Sequence, residues 1–211
     1  MENTIKTGTT TIGVVCKDGV VLAADKRATS GNMIVDKKIN KILPVSDEMA
    51  VTTAGVVSDI QLFVKLIRAE IKLKEIRNNR KITVKEAANL TAGILYSSIR
   101  QMSLMPSIAH FLLGGKDNKG VYLYDLYPDG SITLKDDFVS SGSGSVFAYG
   151  VLETLYKKNM PIEDGIKLAV KAVNAALQRD SASGSGIDVV IITNKGIERV
   201  LEKQLSQKLE T

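Results

Sequence analysis

Gly8 stands directly before three threonines, Thr9, Thr10 and Thr11, at the point where the apolar, β-branched stretch 12–15 begins. Cut between Gly8 and Thr9, the chain would offer a hydroxyl nucleophile and a free α-amino base on one residue. Uncut, the same residue is catalytically silent. Threonine runs also suit the start of a strand, because β-branched side chains fit a pleated surface. The junction therefore needs context before it means chemistry. Three polar clusters could supply it. Asp25-Lys26-Arg27 ends a predicted strand, Lys41 opens another beside Lys37 and Lys38, and a polar loop runs over 179–186. A lysine near an amine or hydroxyl lowers the proton affinity of both. Taken singly, each has a plain structural reading: a turn acid, a solvated strand end, a flexible connector.

Other chemistries lack their parts. The 211 residues contain one cysteine, Cys16, and one histidine, His110, so disulfide frameworks and Cys/His zinc sites fall short. Cys16 continues an apolar alternation and reads as a core residue. His110 precedes Phe111-Leu112-Leu113 and reads as a satisfied structural histidine. Any Ser-His-Asp triad would have to run through it, so a hydrolase here is expected to work without histidine. No cofactor or metal is expected.

The chain is 44% hydrophobic and 24% charged, with no Trp, the profile of one globular domain. No stretch approaches the roughly 18 apolar residues of a membrane span, and residues 1–8 lack a secretory h-region. A cytoplasmic protein without membrane partners is expected. The formal net charge is +5, and Lys65, Arg68, Lys72, Lys74, Arg77, Arg80, Lys81 and Lys85 crowd one segment. That segment also carries Leu62, Leu66, Ala69 and Leu73 on one helical stripe, so a solvated or subunit-facing helix is the simpler account. Without aromatic interleaving, nucleic acid is set aside as a partner.

The elements that must position the polar clusters follow from hydrophobic period. Residues 9–16, a Lys17-Asp18-Gly19 turn and 20–24 predict a hairpin. Another turn at 30–32 precedes an extended pair, 33–36 and 41–45, and a strand over 49–53. The period is helical over 58–78, and Thr83-Val84-Lys85-Glu86 is a capping box opening a second helix with Ala87, Leu90, Ile94 and Leu95 on one face. Strands follow at 110–113, 121–126 and 132–134, then helices near 145–158 and 161–179. A hairpin over 189–193 and 197–201 closes the chain. Strands, two helices, strands, two helices, strands predicts an α+β sandwich of two packed sheets with helices outside.

In order along nearly the whole chain, six blocks resemble the β subunits of the archaeal proteasome. They are Gly8-Thr9-Thr10-Thr11-Ile12-Gly13, Val21-Leu22-Ala23-Ala24-Asp25-Lys26-Arg27, Thr53-Ala54-Gly55, Ser141-Gly142-Ser143-Gly144-Ser145, Tyr149-Gly150-Val151-Leu152-Glu153 and Arg179-Asp180-Ser181-Ala182-Ser183-Gly184. The resemblance implies an N-terminal nucleophile hydrolase: a four-layer α-β-β-α sandwich of two antiparallel sheets over 9–211, with a propeptide over 1–8 removed autocatalytically. Thr9 would attack the peptide carbonyl and its α-amino group would shuttle the proton. Asp25 would hold Lys41 charged and oriented, and Lys41 would ease deprotonation of Thr9. Ser143, Asp180 and Ser183 would position the amino group and its water, and the Gly55 N–H would form the oxyanion hole. Ala28, Ile39, Thr53 and Val57 would line the pocket before the scissile bond, implying cleavage after hydrophobic residues. As partners it implies a homo-heptameric β ring stacked on a second β ring and between α rings, a 28-mer, fed unfolded polypeptide by an ATP-driven unfoldase.

Three rivals share part of this pattern. The non-catalytic α subunits lack the threonine junction and carry a helical N-terminal extension. The smaller bacterial two-ring threonine protease lacks the 179–184 block. A nucleotide-binding protein is suggested by Gly142-Ser143-Gly144-Ser145 before a helix, but no Gly-Lys-Ser/Thr follows.

Overall fold

A computed structural model of the chain describes residues 8–104 and 107–205. Residues 1–7, most of the expected propeptide, and 206–211 lie outside the described residues. β1 (Thr11–Val15) and β2 (Val20–Asp25) form the expected hairpin, followed by β3 (Ala28–Ser30), β4 (Met33–Asp36), β5 (Ile42–Pro44) and β6 (Met49–Gly55). Helices α1 (Val57–Asn78) and α2 (Val84–Ile99) come next, then β7 (Ala109–Asp117), β8 (Gly120–Leu126), β9 (Ile132–Lys135) and β10 (Phe138–Ser141). Helices α3 (Ser145–Leu155) and α4 (Ile162–Arg179) precede the closing pair β11 (Gly186–Thr193) and β12 (Gly196–Gln204).

The strands make two five-stranded antiparallel sheets, ordered β10-β1-β2-β11-β12 and β5-β6-β7-β8-β9, and a small β3-β4 ribbon. Strand alternation sorts the side chains into three cores. In β2, Val21 and Ala23 face α3 and α4 with Ile12 and Val14 of β1, while Val20, Leu22 and Ala24 face the second sheet with Leu112, Leu123 and Val190. The outer side of the second sheet packs Val51, Phe111 and Leu113 against Phe63, Ile67 and Leu95 of α1 and α2. Three cores between four layers give the α-β-β-α sandwich.

The sequence-based expectations differ from the structure in three places. The stretches 33–36 and 41–45 are both extended, but they lie in different sheets: β4 pairs with β3 across Gly31 at φ +58°, and β5 pairs with β6. The short strands β3 and β10 were not expected from the pattern. The stripe Leu62, Leu66, Ala69 and Leu73 of α1 faces outward, and the helix buries Phe63, Val64, Ile67 and Ile71 instead. Both faces of α1 are apolar, and the sheet takes the one whose aromatic and β-branched residues fill the space, with Phe63 edge-on to Phe111. Several basic residues of this region are committed locally, Arg80 to Glu86, Lys81 to Glu48 and Arg68 to the Pro44 carbonyl.

The second helix begins as its sequence predicts. The Thr83 hydroxyl accepts from the Glu86 N–H at 3.3 Å and the Glu86 carboxylate accepts from the Thr83 N–H at 2.9 Å. Helix α4 presents Gly165, Leu168, Ala169, Ala172, Val173 and Ala176 to the first sheet, a stripe small enough for close approach. A Cβ at Gly165 would stand 2.3 Å from Cys16 Sγ. Cys16 is thus a core residue, and burial pushes its thiol up to about 12, far from a reactive thiolate.

Candidate active site

The N-terminal end of β1, the C-terminal end of β2 and the loop after α4 meet at one end of the first sheet. Ladder bonds run past the strand limits, the Asp25 N–H donating to the Thr10 carbonyl at 3.1 Å. In return the Thr10 N–H donates to Asp25 Oδ1 at 2.9 Å. Asp25 Oδ2 accepts from the Arg27 and Gly184 N–H groups at 3.0 and 2.9 Å. Three backbone donors therefore hold this fully buried carboxylate in one orientation.

The fourth bond to Asp25 is the chemical one. Lys41 Nζ lies 2.6 Å from Asp25 Oδ1 and 3.1 Å from Thr9 Oγ1. Lys41 is 4% exposed and Thr9 5%, so the line Asp25–Lys41–Thr9 runs through low dielectric. Burial pulls the Lys41 ammonium below its ordinary proton affinity, and the Asp25 charge and hydrogen bond oppose that pull. The cation is held next to the hydroxyl while its proton is loosened.

The Thr9 hydroxyl donates to the carbonyl oxygen of Gly8 at 2.6 Å. On the other side of Thr9, its N–H donates to Ser143 Oγ at 3.2 Å, and Ser143 donates to Asp180 Oδ2 at 2.6 Å. The Gly144 N–H reaches the Thr9 carbonyl at 3.3 Å. Gly142 sits at φ +94°, where a Cβ would stand 2.1 Å from that same carbonyl oxygen. The Gly-Ser-Gly segment thus folds against the Thr9 backbone because it has no side chains at 142 and 144.

Ser183 is in the cluster but not on Thr9. Its hydroxyl shares hydrogen bonds with Thr10 Oγ1 and Asp180 Oδ2, each at 2.6 Å. It touches the Thr9 nitrogen only through Asp180 and Ser143. Gly55, at φ +136°, ends β6. Two residues before it, the Thr53 N–H donates to the Lys41 carbonyl at 2.9 Å. Strand alternation sends the Gly55 N–H toward the same edge, beyond the start of β5. A Cβ at Gly55 would be 2.2 Å from the Ile108 carbonyl oxygen, so only glycine fits.

Of the pocket candidates, Ala28 and Thr53 are buried, Ile39 is half-buried with its N–H on the Lys26 carbonyl at 3.2 Å, and Val57 is exposed at the first turn of α1. Of the four, Thr53 is bonded directly to the Lys41 backbone, its N–H and hydroxyl both donating to the Lys41 carbonyl. A surface cavity of about 1190 Å³ lies far from them, lined by residues such as Lys81, Lys116 and Thr193. Thr193 ends β11, the strand whose other end pairs with Asp25, so that cavity is at the opposite end of the sandwich.

Sequence reasoning left several contacts unassigned: Thr29 Oγ1, which accepts from the Gly8 N–H at 3.2 Å, Ala182, which crowds Gly8, and a Ser141–His110–Asp125 chain. Ala182 and Ser141 lie inside quoted blocks, but only folded geometry shows what they touch.

A family model described as "Proteasome subunit" matches residues 5–192. A "Proteasome subunit beta" of Archaeoglobus profundus is 44% identical over 211 residues, covering 100% of this chain and 96% of its own length. That of Methanocorpusculum labreanum is 45% identical over 202 residues, covering 96% and 93%. "Proteasome subunit beta 1" of Thermococcus kodakarensis is 44% identical over 203 residues, covering 96% and 97%. With a family match over most of its length and full-length archaeal β-subunit relatives, the chain belongs to the proteasome subunit family.

Proposed function

We propose that the chain is a threonine-type endopeptidase subunit of the proteasome core, made as a precursor that cuts itself between Gly8 and Thr9. The observation that carries this reading is the buried line Asp25–Lys41–Thr9, with the Thr9 hydroxyl lying against the Gly8 carbonyl. In maturation, Thr9 Oγ1 bonds to the Gly8 carbonyl carbon, the Gly8–Thr9 C–N bond breaks, and the hydroxyl proton ends on the Thr9 nitrogen. Water then hydrolyses the ester, releasing the Gly8 carboxylate and restoring the hydroxyl.

The freed α-amino group inherits the partners of the former amide, Ser143 and through it Asp180. It then serves as the base that accepts the Thr9 hydroxyl proton when a substrate carbonyl is attacked, and as the acid that returns it to the leaving amine. Lys41 stabilises the developing alkoxide by its charge, and Asp25 keeps that charge in place. The Gly55 N–H would stabilise the tetrahedral oxyanion. Ser183 contributes by fixing Asp180 and Thr10. Ala28, Ile39, Thr53 and Val57 are small or apolar and would favour substrates cut after hydrophobic residues.

Family membership and the full-length β-subunit relatives favour a seven-membered β ring, paired with a second and capped by α rings into a 28-mer, with an ATP-driven unfoldase supplying unfolded chains in the cytoplasm. Delayed cutting suits such an assembly, because the nucleophile is formed only when it is enclosed. Among the described residues no helix is long and apolar enough to cross a membrane.

The test is intact mass and N-terminal sequencing after co-assembly with α subunits. We expect a mature chain beginning at Thr9, and Thr9→Ala should lose both propeptide removal and peptide hydrolysis. Recovery of Met1 on a fully active enzyme would refute the reading.

A further inference from the structure

The single histidine has two strong hydrogen bonds. His110 Nδ1 lies 2.7 Å from Ser141 Oγ, and Nε2 lies 2.6 Å from Asp125 Oδ1. Because the Asp125 carboxylate only accepts, Nε2 carries a proton, and in the neutral ring Nδ1 accepts from the Ser141 hydroxyl. The ring also stacks on Tyr127, with centroids 4.7 Å apart. The composition resembles a hydrolytic triad, but the geometry does not serve one. Ser141 is 3% exposed, set inside the β10–β1 ladder opposite Thr11. The ring is turned as well, presenting Nδ1 to the serine where a triad presents Nε2.

What the chain of bonds does is join the two sheets beside the nucleophile. Ser141 ends β10 in the first sheet, directly opposite Thr11 in the ladder. The neighbouring Ser140 hydroxyl donates to the Thr11 carbonyl at 2.9 Å. The next three residues, 142–144, are those that bracket Thr9. His110 lies on β7 of the second sheet, opposite Ala54, and its neighbour Ala109 is the ladder partner of Gly55. Asp125 lies on β8 and is buried. One imidazole therefore ties the segment that holds the Thr9 nitrogen to the strand pair that ends in Gly55.

We propose that His110 is a positioning residue for peptide hydrolysis: through Ser141 and Asp125 it fixes the distance between the Thr9 side of the active site and its Gly55 side. Nucleophile and oxyanion donor sit on different sheets, and the three cores between layers are apolar and non-directional. A hydrogen-bonded strut gives the sheet-to-sheet spacing a direction that apolar packing does not. The inference rests on Thr9 being the nucleophile.

The test uses rings co-assembled with α subunits and a fluorogenic peptide ending in a hydrophobic residue. His110→Phe keeps a ring to stack on Tyr127 and removes both nitrogens. Ser141→Ala removes one oxygen. Each is expected to lower kcat by roughly tenfold to a hundredfold, the scale of a misplaced reacting group, with KM changed less than about twofold. The double variant is expected to match the worse single one, because both break the same strut. His110→Gln, which keeps a donor and an acceptor, is expected to recover part of the loss.

A His110→Phe or Ser141→Ala enzyme with wild-type kcat, a loss confined to KM, or a His110→Gln enzyme as slow as His110→Phe would each overturn the proposal. If His110→Phe does not assemble, the smaller Ser141→Ala change decides. Thr9→Ala run alongside separates the two readings. Activity persisting there removes the threonine mechanism, whereas an inactive Thr9→Ala with normal His110 and Ser141 variants removes the strut alone.

Discussion

Gly8 is the residue whose replacement should separate maturation from catalysis. A Cβ built on Gly8 stands 1.9 Å from Ala182 Cβ and 2.8 Å from the Ala182 Cα and carbonyl oxygen. Such distances are not accommodated without moving backbone, and Ala182 is held by its N–H on Asp180 Oδ1 at 3.2 Å. Overpacking of this kind costs about 1–3 kcal/mol. Relief by shifting Gly8 would move its carbonyl off the Thr9 hydroxyl, so we take the whole cost as lost reactive geometry. At about 1.4 kcal/mol per tenfold, Gly8→Ala should slow self-cleavage roughly 5- to 150-fold. The assay is the decay of precursor mass with time after ring assembly. Adding Ala182→Gly removes the closest atom and should restore part of the rate. Once cut, the Gly8→Ala chain is identical to the mature wild type, so its kcat must be unchanged. Cleavage at the wild-type rate, or no recovery in the double variant, would refute the argument that the fit of Gly8 against Ala182 sets the reacting geometry.

Four further outcomes follow from the site and its scaffold. Asp25→Asn removes the charge that opposes the downward shift of Lys41, so the lysine should lose its proton at lower pH and kcat should fall on the order of a hundredfold, with its alkaline limb moved toward neutrality; an unchanged pH–kcat profile would contradict this. Because Lys41 titrates lower folded than at its free value of 10.5, the unfolded chain binds more protons between those two pH values and stability rises with pH across that window. Lys41→Met should flatten this rise in a thermal series, and an unaltered slope would count against the buried-lysine assignment. Thr83→Ala removes the hydroxyl of the capping box and should cost about 1 kcal/mol, seen as a midpoint lower by roughly 2–4 °C with kcat unaffected. A panel of peptides varied at the residue before the cut should be cleaved best after hydrophobic residues, and a best acidic or basic residue would overturn the proposal that Ala28, Ile39, Thr53 and Val57 line the pocket.

Local signals were readable and long-range choices were not. The Asp18-Gly19 turn and the Thr83–Glu86 box are written in adjacent residues, and each forms its predicted element. The α1 stripe failed because both Leu62-Leu66-Leu73 and Phe63-Ile67-Ile71 satisfy a helical period, and the sheet beneath decides between them. Strand β10 is four residues long and owes its existence to β1, far along the chain, and β3 is three residues long and pairs with its neighbour β4. Asp25, Lys41 and Thr9 have no spacing that predicts contact; resemblance brought them together on paper, and sheet topology brings them together in space.

The threonine run shows what such patterns hide. Alternation turns successive side chains to opposite faces, so one β-branched motif becomes three environments. Thr9 Oγ1 faces Lys41 and the Gly8 carbonyl. Thr10 Oγ1 faces Ser183, on the side where a Cβ at Gly144 would also meet Ala176 of α4. Thr11 Oγ1 is fully buried without a hydrogen-bond partner among the described residues. The hydroxyl at position 10 would be as nucleophilic as its neighbour by residue type, yet it points at a serine rather than a lysine, and its nitrogen is locked on Asp25. A one-residue slip of β1 against β2 would exchange these faces and place the wrong hydroxyl on Lys41. The five register pairs between those strands are therefore part of what selects Thr9.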